Sequence, residues 1–102
     1  MLHLKQKGHR ILKQNLTTKF GEIDLLTEDK KTIVLVEVKT KRGRLFGLPQ
    51  DMIHAAKQRK LRQLARWLEQ EYPNRLLRVD VVAVDLEPDP PAIEHLENVV
   101  QG

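Results

Sequence analysis

Four side chains capable of acid, base or metal chemistry fall within one short stretch: Glu22, Asp24, Glu37 and Lys39. They belong to the segment Gly21 to Lys39, in which two apolar runs rich in branched residues flank a short charged turn. That pattern predicts a β-hairpin. In an antiparallel pair without a bulge, facing positions have a constant sum, so a two-residue loop at Lys30-Lys31 makes Asp29 oppose Thr32. The same register puts Asp24 opposite Glu37 and Glu22 opposite Lys39. Strand side chains alternate faces, and all four therefore project from one side. The other side carries Ile23, Leu25, Val36 and Val38 and is a core face.

Three carboxylates and one amine on a covered strand need a reason, because an isolated ion removed from water costs several kcal/mol. Ile33 to Val38 is apolar on both sides, the mark of a central strand packed above and below. Carboxylates held close together repel, and a divalent cation between them converts that repulsion into coordination. Hard oxygen ligands favour Mg²⁺ or Mn²⁺, and a neighbouring lysine can orient a water or a phosphate oxygen. The plainer alternative is a salt-bridge cluster of Glu22, Asp24, Glu37 and Lys39 with no ligand.

The elements that must position these residues follow from the rest of the chain. Met1 to Lys7 fits the last turns of a helix, with Gly8 as its stop signal. His9 to Leu16 reads as a strand, and with Phe20 to Thr27 and the second arm of the hairpin it makes a three-stranded meander. Lys41 to Leu48, with two glycines and further cations, reads as a basic loop that contacts substrate, or as a plain solubilising connection. Pro49 suits a first helical position, and Gln50 to about Tyr72 has helical periodicity through Ile53, Leu61, Leu64, Ala65, Leu68 and Tyr72. Arg59, Arg62 and Arg66 cluster away from that stripe, whereas Lys57 falls on its centre line. Trp67 and Tyr72 are expected to pack rather than stack on bases. Leu76 to Leu86 is a second strongly apolar strand that can return parallel to the first through a crossover, and its Asp80 is expected to pair with Arg78 or a helix cation, the alternative being that it reaches the neighbourhood of the site. Glu87 to Pro91 is a turn, and Ala92 to Val100 a closing edge strand.

A chain of 102 residues supports one domain with a modest core. Without cysteine there is no disulfide framework and no thiolate zinc site, which fits a cytoplasmic protein. His3, His9, His54 and His95 show no ligand spacing and are expected to be structural or on the surface. No apolar run approaches the roughly 20 residues of a membrane span, and no signal peptide is present. The net charge of +4 and pI near 9.6 conceal an uneven distribution. Lys39, Lys41, Arg42, Arg44, Lys57, Arg59, Lys60, Arg62 and Arg66 share a stretch whose only acid is Asp51, whereas after Arg78 there is no Lys or Arg. The basic half adjoins the carboxylate hairpin, where a polyanion would need it. Ordinary solvated charge is the alternative.

An acidic residue on one strand followed by Glu-x-Lys on the next resembles the metal site of the PD-(D/E)XK nuclease superfamily. Within it the chain is most similar to the bacterial YraN family, related to archaeal Holliday-junction resolvases. The matching words are Asn15, Gly21-Glu22-Ile23-Asp24-Leu25, Val36-Glu37-Val38-Lys39, Phe46-Gly47, Lys57-Gln58 and Asp80-Val81-Val82-Ala83-Val84, from about Leu4 onward. The resemblance implies a restriction-endonuclease-like α/β core: a single nuclease-like domain over residues 1–102 with a mixed sheet of about five strands and one long crossover helix. It further implies that Asp24, Glu37 and the Val38 carbonyl hold Mg²⁺ or Mn²⁺, that Lys39 positions the attacking water, and that Glu22 supports the site. Lys41, Arg42, Arg44, Lys57, Gln58 and Lys60 would contact nucleic acid; for Lys57 the alternative is a snorkelling stem. The family usually begins with a further helix that brings another polar residue to the site, and Met1-Leu2-His3-Leu4 lies inside the end of that helix. DNA is the implied partner, branched DNA by analogy with the resolvases, which often act as dimers. A nucleic-acid-binding module that keeps the fold without cutting is the second expectation.

Overall fold

A computed structural model describes residues 2–42 and 55–100, with the side chains of residues 41 and 55–57 excepted. The elements are α1 (Leu2–Gln6), β1 (His9–Thr18), β2 (Gly21–Asp29), β3 (Thr32–Lys41), α2 (Ala55–Glu71), β4 (Leu76–Asp85) and β5 (Ala92–Leu96). The strands form one sheet in the order β1-β2-β3-β4-β5. β1, β2 and β3 are the expected antiparallel meander, and β4 lies parallel to β3 after the connection through α2. β5 closes the edge antiparallel to β4 but stops at Leu96, short of the expected Val100. The fold is thus the mixed five-stranded α/β sheet with a crossover helix that the sequence implied. The expected start of α2 at Pro49, and the loop with Arg44 and Phe46-Gly47, lie outside the described residues.

Both faces of the sheet are covered, as the uninterrupted run from Ile33 to Val36 requires. On one side Leu61, Leu64 and Leu68 of α2, each fully buried, pack on Ile33, Leu35, Val79 and Val81. Trp67 and Tyr72 join the margin of this core. Three leucines sealed in this way stabilise the fold by about 1.5–3 kcal/mol each. On the other side Leu4 of α1 sits over Leu25, Val34, Val36 and Val82. Among the described residues no helix is long and apolar enough to cross a membrane.

The hairpin register is Asp29↔Thr32 through Leu25↔Val36, around the two-residue turn at Lys30-Lys31. Beyond Leu25 it departs from a regular strand. Ile23 and Leu25 are two apart and should share a face, yet Ile23 joins the α2-side core while Leu25 joins Val34 and Val36 on the other. The expectation that Ile23 lines one face with Leu25, Val36 and Val38 therefore fails. The cause lies in β1, where pairing with β2 is irregular between Ile11 and Lys13 and Asn15 takes a positive φ of 52° opposite this point. Such irregularities bend and twist a strand locally, and β2 turns over at Asp24.

Candidate metal and nucleic-acid site

The ladder between β2 and β3 ends at Leu25↔Val36, so the next backbone donor of β3 needs another acceptor. Asp24 supplies it. Its Oδ2 accepts a hydrogen bond from the Val38 N–H at 2.7 Å. The carboxylate consequently lies beside the β3 backbone instead of rising from the sheet face, and its second oxygen makes no hydrogen bond among the described residues. In an extended strand the N–H and C=O of one residue point to the same neighbour. The Val38 carbonyl thus faces the side on which Asp24 sits.

Glu37 follows Ile33 and Leu35 on the α2 side of β3, and its side chain is only 8% exposed. The Lys39 ammonium stands 3.9 Å from Glu37 Oε1 and remains 41% exposed, so it reaches both the carboxylate and solvent. Two contacts are thus formed at the C-terminal end of β3, Asp24 with the Val38 N–H and Lys39 with Glu37. Two carboxylates and a carbonyl are all hard oxygen donors, and this donor set fits Mg²⁺ or Mn²⁺.

The remaining residues of the expected site are placed unevenly. Glu22 is exposed and pairs through its backbone with Thr17, without a side-chain bond among the described residues. Arg42 is exposed just past β3. Lys60 is half-buried, and a β-carbon added at Gly21 would stand 3.4 Å from its Cε. Gly21 has a φ of +126°, so glycine here provides both the backbone angle and room for the lysine. Gln58 is buried and donates from Nε2 to the Val99 carbonyl at 2.7 Å, an internal bond in place of the expected contact with phosphate. The side chains of Lys41 and Lys57, and all of Arg44, lie outside the described residues.

A second polar cluster occupies the α1 side of the sheet, and spacing along the chain gave no sign of it. Asp80 is fully buried and accepts from Arg78 at 2.9 and 3.0 Å, from the Asn98 N–H at 3.0 Å and from His95 at 2.8 Å. The expected Arg78–Asp80 pairing is present. Lys7 Nζ reaches His95 Nδ1 at 2.8 Å, and the rings of His3 and His9 stand 5.7 and 5.9 Å from that of His95. His9 is further held by Thr27 at 2.8 Å. Burial pushes the His9 imidazole below its ordinary value despite the attraction of Asp29, and His3 is lowered by burial and then by His95 and Lys7. Burial alone would lower the Arg78 guanidinium, but its bonds to Asp80 and the charges of Glu97 and Asp29 raise it above its ordinary value. Ligand atoms of Asp80, His95 and Glu97 lie within 4.8 Å of one another. Four donors already meet the Asp80 carboxylate, however, and a metal ion there would face the Arg78 guanidinium. The cluster is a structural clamp that secures residues 95–98 to β4.

The uncharacterised protein family UPF0102 matches residues 1–84 of the chain. The UPF0102 protein of Syntrophotalea carbinolica is 40% identical over 95 residues, covering 91% of this chain and 77% of that protein. That of Thermodesulfovibrio yellowstonii is 40% identical over 100 residues, covering 94% and 83%. A third, from Symbiobacterium thermophilum, is 44% identical over 90 residues, covering 84% and 75%.

Proposed function

The chain belongs to the uncharacterised protein family UPF0102, and from that membership and the side chains at the end of β3 we propose that it is a Mg²⁺- or Mn²⁺-dependent, endonuclease-like hydrolase of DNA phosphodiesters. The observation that carries this reading is the Asp24 carboxylate bonded at 2.7 Å to the N–H of Val38, the residue between the buried Glu37 and Lys39 on β3. Asp24, Glu37 and the Val38 carbonyl would hold the ion. A divalent cation in such a site lowers the pKa of a bound water and offsets charge on the scissile phosphate.

Each protein group then has a defined task. The Val38 N–H fixes the direction of the Asp24 carboxylate. Burial limits the freedom of Glu37, so two ligands would be oriented before substrate arrives. The exposed Lys39 ammonium orients the attacking water and stabilises negative charge as the water oxygen bonds to phosphorus and the bond to the leaving oxygen breaks. Exposed Arg59, Arg62 and Arg66 on the outer side of α2 would attract the polyanion without reading its sequence. These arginines make no ion pair among the described residues, and they equally support the second reading, a binding module of the same fold that does not cut.

Incubation with supercoiled and four-way-junction DNA in Mg²⁺ or Mn²⁺, followed by EDTA, separates the two. Metal-dependent cutting that disappears in Lys39→Ala and in Glu37→Gln is the expected result. Salt-sensitive binding without any cutting would establish the binding module instead.

A further inference from the structure

The β2–β3 turn stands at the opposite end of β3 from the candidate site. Beside it is a shallow cavity of about 380 Å³ lined by Glu28, Lys30, Lys31, Asn74, Arg75 and Leu76. Glu28 holds Arg75 in place and also accepts from Arg10, and Arg75 reaches the Lys31 carbonyl at 3.3 Å. The Arg75 hydrogen bond, followed by that of Arg10, keeps the Glu28 carboxyl below its ordinary value despite burial, so it stays ionised and the guanidinium stays anchored. The Lys30 and Lys31 side chains are exposed, and their ammonium groups have no partner among the described residues. Lys30 also takes a φ of 57°. Glycine and asparagine are the ordinary residues there, so the turn keeps a lysine where the backbone disfavours one. Three cations and an amide around one cavity, one of the cations fixed in direction by a carboxylate, match the needs of a phosphate.

We infer that this cavity is a second phosphate-binding site, which takes a backbone phosphate of a nucleic-acid duplex that also reaches the end of β3. The inference rests on the nucleic-acid reading above and is independent of cleavage. Both places lie on the α2 side of the sheet, because Glu28 lies two residues along β2 from Leu26 of the α2-side core, and Asn74 and Arg75 follow α2 directly. The exposed Arg59, Arg62 and Arg66 lie along the helix that runs from one to the other; Glu69 and Glu71 then separate them from Arg75, so the contacts come as two clusters. Lys39 lies eight positions beyond Lys31 along extended chain, about 26 Å at 3.3 Å per residue. At 3.4 Å per base pair a duplex must be about eight base pairs long to touch both.

The length requirement supplies the test. Binding is measured by fluorescence anisotropy in EDTA, so that cutting plays no part, with a duplex of about 20 base pairs and a hairpin with a stem of about five. Lys30→Asn/Lys31→Gln, with an asparagine that tolerates the turn, should weaken the long duplex about fivefold and reduce its log–log salt slope by about 2, leaving the short stem unchanged. Lys5→Gln, on α1 across the sheet, serves as the control for net charge, its effect in free energy being doubled because it removes one charge and not two. Equal loss on both lengths, a loss no larger than in Lys5→Gln, or no duplex binding by the unaltered protein would overturn the inference. Inorganic phosphate that shifts the Lys30, Lys31 and Arg75 amide resonances, with duplex affinity unaltered by the substitutions, would identify a site for a free anion and refute the duplex contact. Asp24→Asn, assayed for cutting in Mg²⁺ and for binding in EDTA, keeps the two ideas apart: loss of cutting with EDTA binding intact bears on the candidate site alone.

Discussion

Asp24 accepts a hydrogen bond from Val38 and is proposed to hold a metal ion, and two substitutions divide these roles. Asp24→Asn keeps an oxygen able to accept from the Val38 N–H at the observed 2.7 Å but removes the charge. A hydrogen bond to a charged group contributes about 1.5–3 kcal/mol and a neutral one about 0.5–1.5, so the asparagine variant should lose about 1 kcal/mol. Asp24→Ala removes the acceptor and leaves a part-buried donor without one, at a cost of about 1–3 kcal/mol. For a domain of this size 1 kcal/mol corresponds to roughly 4–8 °C in Tm. In EDTA, urea titrations should therefore rank wild type above Asp24→Asn and Asp24→Ala lowest. Calorimetric titration of Mn²⁺ should show a different order, with both variants at least about tenfold weaker than wild type, since loss of even an outer-shell partner costs that much. Wild-type Mn²⁺ affinity in Asp24→Asn would refute the metal role. An alanine variant as stable as the asparagine one would refute the hydrogen-bond role.

Asp80→Ala leaves the Arg78 guanidinium with only Asp29 at 3.4 Å and Glu97 at 3.3 Å, so a loss of about 3–5 kcal/mol is expected in urea unfolding. Loss below 1 kcal/mol would mean that the clamp is not closed in solution. Because His3 and His9 have lowered values in the folded protein, the unfolded chain binds more protons, and their contribution is complete above about pH 6.5 and declines as the pH falls below it. The urea midpoint should drop between pH 7 and 5, above the range in which Glu28 titrates, and His9→Asn should flatten that dependence. Gly21→Ala, at a φ of +126° and against Lys60, should cost about 1–3 kcal/mol by thermal melting, while Mn²⁺ affinity stays within a few-fold of wild type.

Much of the frame was legible because local rules were sufficient for it. Alternating apolar residues and a charged two-residue turn fix the hairpin register at Lys30-Lys31, and the three-to-four spacing of Leu61, Leu64 and Leu68 marks the buried face of α2. The placement of Asp24 near the end of β3 follows from the same register. Its detail does not, because the ladder ends before Asp24 meets Glu37, and the reversal of Ile23 depends on an irregularity in a different strand. The histidine cluster lay beyond reach for a related reason. His9 and His95 meet only because β1 and β5 bring their side chains to the α1 face of one sheet, a placement that no spacing rule reports. Gln58 could be assigned to the buried side of α2 from periodicity, but its partner Val99 belongs to an irregular segment with no pattern to read.

The clamp on Asp80 also constrains how the chain is made. A fully buried carboxylate depends on the His95 ring and the Asn98 amide, both synthesised after the whole of β4. Until those residues emerge from the ribosome, the central strand pair carries a carboxylate with two of its four hydrogen bonds unmade, and burying it so is unfavourable. Stable closure of the sheet is thereby deferred until translation of this region is nearly finished, which makes the order of synthesis part of how the protein reaches its shape.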